Sequence, residues 1–165
     1  MSPAPYHPVL DQPWAMATLG TAMRLHQGHV DKAGAPYWTH LARTASKLAT
    51  RWPDATRHQV EAALLHDTLK DKRRGQDHLR AEKVRPRVVQ IVSDLTRPPK
   101  TPYLDWIGDI ADVGDADLIR VKLSDIADNM DPGRPDFPDR LDLLRTRYLP
   151  AARILEVALA NARAA

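Results

Sequence analysis

Apolar residues recur along this chain at spacings of three and four, the period of a helix face, with no sustained alternation of the kind strands show. Trp14, Ala17, Ala22 and Leu25 predict a first helix over residues 12–28. Gly34 and Pro36 punctuate a loop in "DKAGAPYW". Leu41, Ala45, Leu48 and Ala49 predict a second helix over 39–51, which "WPDAT" breaks. Thr56 with Gln59 three residues on resembles a capping box opening a third helix over 57–70. A charged stretch follows as a loop with a short helix, and then a helix over 86–95 runs through Val88, Val89, Ile91 and Val92. "TRPPKTP" is a hard break before a helix over 102–112, with Pro102 suited to its first position. Gly114 ends that helix, and Asp115 starts another through Leu118, Ile119, Val121 and Ile126 to residue 130. After "DPGRPDFPD" a last helix is expected over 139–162. The pattern predicts an all-α chain.

Composition narrows this further. The 165 residues suit one domain with a real core, 11–165, preceded by a Pro-rich N-terminal arm at 1–10. Aromatics are 5%, so the core is left to Leu, Ala, Val and Ile. There is no cysteine, so disulfides and thiolate metal sites are excluded and any metal must use His and carboxylate ligands. A net charge of +3 is mild; it fits a pocket for a polyanionic small molecule or weak nucleic-acid contact and demands neither. No apolar run approaches the ~20 residues of a membrane span, and the N-terminus lacks a signal-peptide pattern, so a cytoplasmic location is the default expectation.

The candidate chemistry starts in "AALLHDTLKDK", where His66 and Asp67 end an apolar run. Imidazole nitrogen beside carboxylate oxygen suits Mn²⁺, Fe²⁺ or Zn²⁺; the plainer reading is a hydrogen-bonded core histidine. Asp125, Asp128 and Asn129 share a face of a core helix. A carboxylate there needs a partner, either a metal or a salt bridge. His40 stands at the start of the second helix. His26 and His29 sit near the end of the first, where they complement the helix C-terminus, and His58 and His78 lie in charged surroundings.

His40, then His66-Asp67, then Asp125, each on its own predicted helix, resemble the H…HD…D motif of the HD-domain superfamily of metal-dependent phosphohydrolases, which are all-α helical bundles. A closer resemblance is to the small RelA/SpoT-type alarmone (ppGpp) hydrolases. "AMRLHQGHVDKAGAPYWTHLARTASKLA" is similar to their first helix, loop and second helix, "AALLHDTLKD" to their ALLHDxxED stretch, and "IRVKLSDIADNM" to their VKLAD…NM stretch. The resemblance spans about 15–129.

It implies a single HD-domain bundle that removes pyrophosphate from a nucleotide such as ppGpp. The implied metal ligands are His40, His66, Asp67 and Asp125, and the metal is Mn²⁺ first, with Fe²⁺ or Zn²⁺ possible. Lys32 corresponds to the loop residue that meets the nucleotide and Asn129 to one that contacts the nucleoside; Arg134, in "DPGRPD", is a second candidate phosphate contact by its chemistry, or equally a residue that serves the fold of that Pro-rich turn. Two positions depart from the family. Its glutamate-aspartate pair, which places and activates water, is Lys70-Asp71 here, and the arginine that packs on the base is Asp31. Lys70 can bind a substrate phosphate, pair with Asp67 or Asp71, or reach solvent. Two unit charges at ~4 Å interact by roughly 4 kcal/mol at an effective dielectric of ~20, enough to compete with a metal for a ligand. Asp71 can act as general base or be a surface acid beside Arg73 and Arg74.

The sequence reading is therefore a metal-dependent phosphohydrolase of a nucleotide or alarmone-like phosphate ester, with Lys70 and Asp71 as its altered catalytic pair. The alternative is a catalytically degenerate HD domain that binds a nucleotide or a protein partner. Nucleic-acid binding has only the run "KDKRR" behind it, without interleaved aromatics. Oligomeric state is not legible.

Overall fold

Proline opens several helices in the computed structural model, which describes residues 6–71 and 73–164. Helix α1 (Pro13–Leu25) and helix α5 (Pro86–Asp94) both open on proline, whose missing N–H costs nothing at a helix start. Helix α3 (Arg57–Leu65) opens on the capping box: Thr56 accepts the Gln59 N–H, and the Gln59 side chain accepts the Thr56 N–H. Helix α6 (Tyr103–Val113) stops at Gly114, whose φ of 68° is the left-handed conformation glycine takes without penalty. Asp115 then caps helix α7 (Ala116–Met130) by accepting the Asp117 N–H at 2.9 Å. Helix α2 (Tyr37–Arg51) begins two residues earlier than its apolar pattern predicts, because Pro36 ends the loop before it.

Among the described residues the fold is all-α; the one β-type pairing is an antiparallel bridge between Val30 and Pro36. α3 is the central element, with α1, α2, α5 and α7 packed around it, and every residue from Gln59 to Leu65 is buried. α2 packs on both α3 and α7, so the first turn of α2, the end of α3 and the middle of α7 meet. A short helix α4 (Gln76–Ala81) lies within the charged segment. No described helix is long and apolar enough to cross a membrane.

Three segments differ from the periodicity-based expectation. α3 ends at Leu65 rather than near residue 70; His66 caps it, and Thr68–Lys70 form a 3-10 turn. The expected last helix is three pieces: α8 (Arg140–Leu143), a π turn at Leu144–Tyr148, and α9 (Leu149–Ala164). Of the expected N-terminal arm, residues 1–5 lie outside the described residues. Pro8–Asp11 form a 3-10 turn with Leu10 buried, and Tyr6 lies against Trp38, ring centres 6.3 Å apart.

Candidate metal centre

Two consecutive residues on a regular α-helix point about 100° apart. Leaving the helix after Leu65 removes that divergence and lets His66 and Asp67 face one point. Asp67 takes φ −100° and ψ 2°, the sparsely populated bridge region between helix and strand. His40 from α2 and Asp125 from α7 complete the group. One ligand atom from each of His40, His66 and Asp67 lies within 4.8 Å of the others. Asp125 Oδ1 lies 3.2 Å from His40 Nε2 and 3.5 Å from His66 Nε2. All four side chains are buried.

The hydrogen bonds around the two imidazoles fix which nitrogen is free. His66 Nδ1 donates to the Ala63 carbonyl at 2.8 Å, since a carbonyl only accepts. Its Nε2 is buried without a hydrogen-bond partner, and lies 3.4 Å from Asp67 Oδ1 and 3.5 Å from Asp125 Oδ1. A lone pair facing two carboxylates is repulsive unless a cation or proton stands between them. His40 Nδ1 donates to Asp128 Oδ2 at 2.7 Å, so its Nε2 also turns to the carboxylates. This is the carboxylate–histidine arrangement that orients metal-ligating imidazoles. Asp128, fully buried, is held in turn by Arg43 Nε at 2.8 Å and by Arg134 Nη1 at 3.4 Å. The residues present thus fit a divalent cation.

Charge at the site follows from these contacts. Burial pushes the His40 imidazole down, but the hydrogen bonds to Asp125 and Asp128 and the charges of Asp125 and Asp67 outweigh it and raise its pKa to about 9. Burial alone would raise Asp67; the positive charge of its His and Lys70 neighbours holds it well below the ordinary carboxylate range. Asp125 is held low in the same way against its burial, chiefly by Lys122.

Both carboxylates also carry lysines. Lys122 Nζ lies 2.7 Å from Asp125 Oδ2, and Lys70 Nζ lies 2.7 Å from Asp67 Oδ1. In a 3-10 turn, side chains three apart eclipse, which brings Lys70 over Asp67. The Tyr37 hydroxyl donates to Asp67 Oδ2, and Asn129 Nδ2 to Asp125 Oδ1. His26, expected merely to complement a helix end, is buried and stacks on Tyr37 with ring centres 4.9 Å apart. Burial lowers its pKa to about 4.

Of the other sequence candidates, Lys32, Asn129 and Arg134 line a cavity together with Lys70 and with His40, Asp67 and Asp125. Asp71 does not. It leaves the 3-10 turn in extended conformation, and Arg73 takes its carboxylate at 2.9 Å. Asp31, where the sequence resemblance expects an arginine, builds the loop: its Oδ1 accepts the N–H groups of Ala33 and Ala35, and its Oδ2 takes Arg134 Nη2 at 2.7 Å. Arg134 is thereby tied to the protein, as is Asn129 through Asp125.

Sequence reasoning missed Arg97, Tyr103, Arg147 and Tyr148, all on the cavity wall. Tyr103 Oη is buried without a partner among the described residues, and Lys32 Nζ lies 3.5 Å from Tyr148 Oη. The π turn carries Arg147 and Tyr148 to the cavity, a common place for such a turn. Their sequence, "LLRTRYLP", carries no signal that separates it from an ordinary helix surface.

No family model matches this sequence, and no curated protein sequence matches it to significance. By structure, the chain is similar to a metazoan ortholog of SpoT described as hydrolysing ppGpp and playing a role in starvation responses. The TM-score is 0.70 at 18% identity, covering 92% of this chain and 94% of that one. The likeness establishes a shared fold.

Proposed function

We propose that this chain is a divalent-metal-dependent phosphohydrolase acting on a nucleotide or alarmone-like phosphate ester, a ppGpp 3′-pyrophosphohydrolase-like enzyme with an altered catalytic pair. The observation that carries this reading is the buried, partnerless Nε2 of His66, directed at two carboxylates. His40, His66, Asp67 and Asp125 would hold the cation. Two imidazoles and two carboxylates without thiolate suit Mn²⁺, and also Fe²⁺ or Zn²⁺. Bound there, it would polarise a phosphoryl oxygen and acidify a water ligand.

The chain's own residues do the rest. Lys32, Arg97 and Arg147 bring positive charge to the cavity without a carboxylate of their own among the described residues, and so are free to bind phosphate oxygens. The buried Tyr103 hydroxyl is a further donor. Arg134 and Asn129 brace the wall and Asp125 rather than reach freely into the cavity. The cavity, of about 220 Å³, is smaller than the roughly 300–1,000 Å³ of clefts that enclose a whole ligand. It is sized for the phosphoryl end of a substrate.

The second reading is an HD domain that binds a phosphate-bearing ligand without turnover. Its support is specific: Lys70 stands on Asp67 where the resemblance expects an acid, and Asp71 turns away to Arg73. A screen of nucleotides, alarmones and simple phosphate esters with Mn²⁺ separates the two. The enzyme reading expects phosphate or pyrophosphate release from at least one of them, lost in Asp125→Ala. A blank screen with metal bound transfers the case to the binding reading.

A further inference from the structure

The two lysines on the ligand carboxylates differ in freedom. Lys122 is 6% exposed, and its ammonium lies 4.6 Å from the Trp106 ring centre and 5.6 Å from that of Tyr103, so rings and carboxylate lock it. The Lys70 side chain is 55% exposed at the cavity wall, and Asp67 is its ion-pair partner. A buried carboxylate held by a half-exposed, long, flexible cation is a contact that can exchange.

Each Asp67 oxygen carries one donor, Lys70 on Oδ1 and the Tyr37 hydroxyl on Oδ2, and keeps a second lone pair. A divalent cation approaching His40 and His66 therefore meets the Lys70 ammonium on the same oxygen, which repels it and draws on the charge Oδ1 would give it. A phosphate in the same cavity offers Lys70 another acceptor, one with more negative charge and better access to water than Asp67. Lys32, Arg97 and Arg147 favour an anion there.

We propose that Lys70 is a switchable counter-ion that couples the two ligands of the site. It covers Asp67 while the cavity lacks an anion, and moves to a phosphate oxygen when one enters, leaving Asp67 Oδ1 to the metal. Cation and phosphate then bind cooperatively, beyond their direct attraction, and each tightens the other by the same factor. This rests on the metal-site reading above.

The test is Mn²⁺ binding to the full chain, followed by loss of the free-ion electron paramagnetic resonance signal, with and without inorganic phosphate; protein-free titrations remove the ion–phosphate contact in solution. Wild type and Lys70→Met, which keeps the stem and removes the charge, are compared. Phosphate is expected to tighten Mn²⁺ binding to wild type about tenfold. Lys70→Met is expected to bind Mn²⁺ about tenfold more tightly without phosphate, and to gain little from adding it. An equal phosphate effect in both proteins overturns the role of Lys70 and leaves the metal centre standing. No Mn²⁺ binding by either folded protein overturns the metal centre and the coupling together.

Discussion

Asp128→Ala is expected to cost about 3 kcal/mol of folding stability and to weaken Mn²⁺ binding by roughly 10- to 100-fold, although Asp128 is not among the four proposed ligands. Its carboxylate is fully buried and collects His40 Nδ1, Arg43 Nε and Nη2, and Arg134 Nη1. Removing it leaves two guanidiniums to share Asp31, which already lies 2.7 Å from Arg134 and 3.5 Å from Arg43. Breaking a buried pair from one side costs about 3–5 kcal/mol; the partial exposure of Arg43 sets the lower end. The metal effect has a separate cause. His40 loses the acceptor that fixes its Nδ1 proton and its ring orientation, so Nε2 is no longer held toward the cation.

The pH dependence has a definite sign. Burial raises the Asp128 carboxyl, but hydrogen bonds from His40 and Arg43 outweigh it and hold its pKa below the ordinary value. A depressed folded pKa means stability that is full above the unfolded value of about 3.9 and is lost as pH falls through the folded one. Urea unfolding should find the gap between wild type and Asp128→Ala full near neutral pH and closing below about pH 4. A gap that stays constant into acid would contradict the assignment of that stability to the ionised carboxylate.

Lys70→Glu is expected to raise turnover of the phosphate ester by about 10²- to 10⁴-fold, the usual contribution of one positioned acid–base group. The substitution does two things. It removes the ammonium from Asp67 Oδ1, and it restores an acid at the position where the resemblance expects the water-handling glutamate. Asp71 does not fill that role in its present position, because Arg73 holds it outside the cavity wall. The assay is pyrophosphate release from ppGpp with Mn²⁺, wild type against variant. Release from the metal-loaded variant no faster than from the metal-loaded wild type would remove Lys70 as a brake on turnover.

The helices were legible because proline and glycine mark their ends: Pro13, Pro86, Gly114 and the Thr56 box stand at ends in sequence and structure alike. The grouping of His40, His66, Asp67 and Asp125 was readable only through the resemblance to the H…HD…D motif, since α4, α5 and α6 separate His66 from Asp125 and nothing local pairs them. The end of α3 was not readable. Leu65 and Leu69 keep helical spacing, so the apolar pattern runs on through a backbone that has already left the helix. That break decides the fate of the next residues: it brings Lys70 over Asp67 and carries Asp71 away. The π turn was hidden for a similar reason, because one inserted residue barely disturbs a pattern as sparse as that of residues 139–150. Arg97 lay in a stretch that reads only as a break, and Tyr103 at a helix start, with nothing local to connect either to the cavity.

The most direct measurement is the metal content of the pure chain after Mn²⁺ loading and gel filtration, by elemental analysis, against His66→Ala. The side chain of His66 makes one hydrogen bond, to the Ala63 carbonyl, so the variant is expected to remain folded, as circular dichroism can verify. The four-ligand centre predicts close to one equivalent of Mn²⁺ in the wild type and almost none in the variant. A folded wild type without metal, or a variant that retains as much as the wild type, would contradict it.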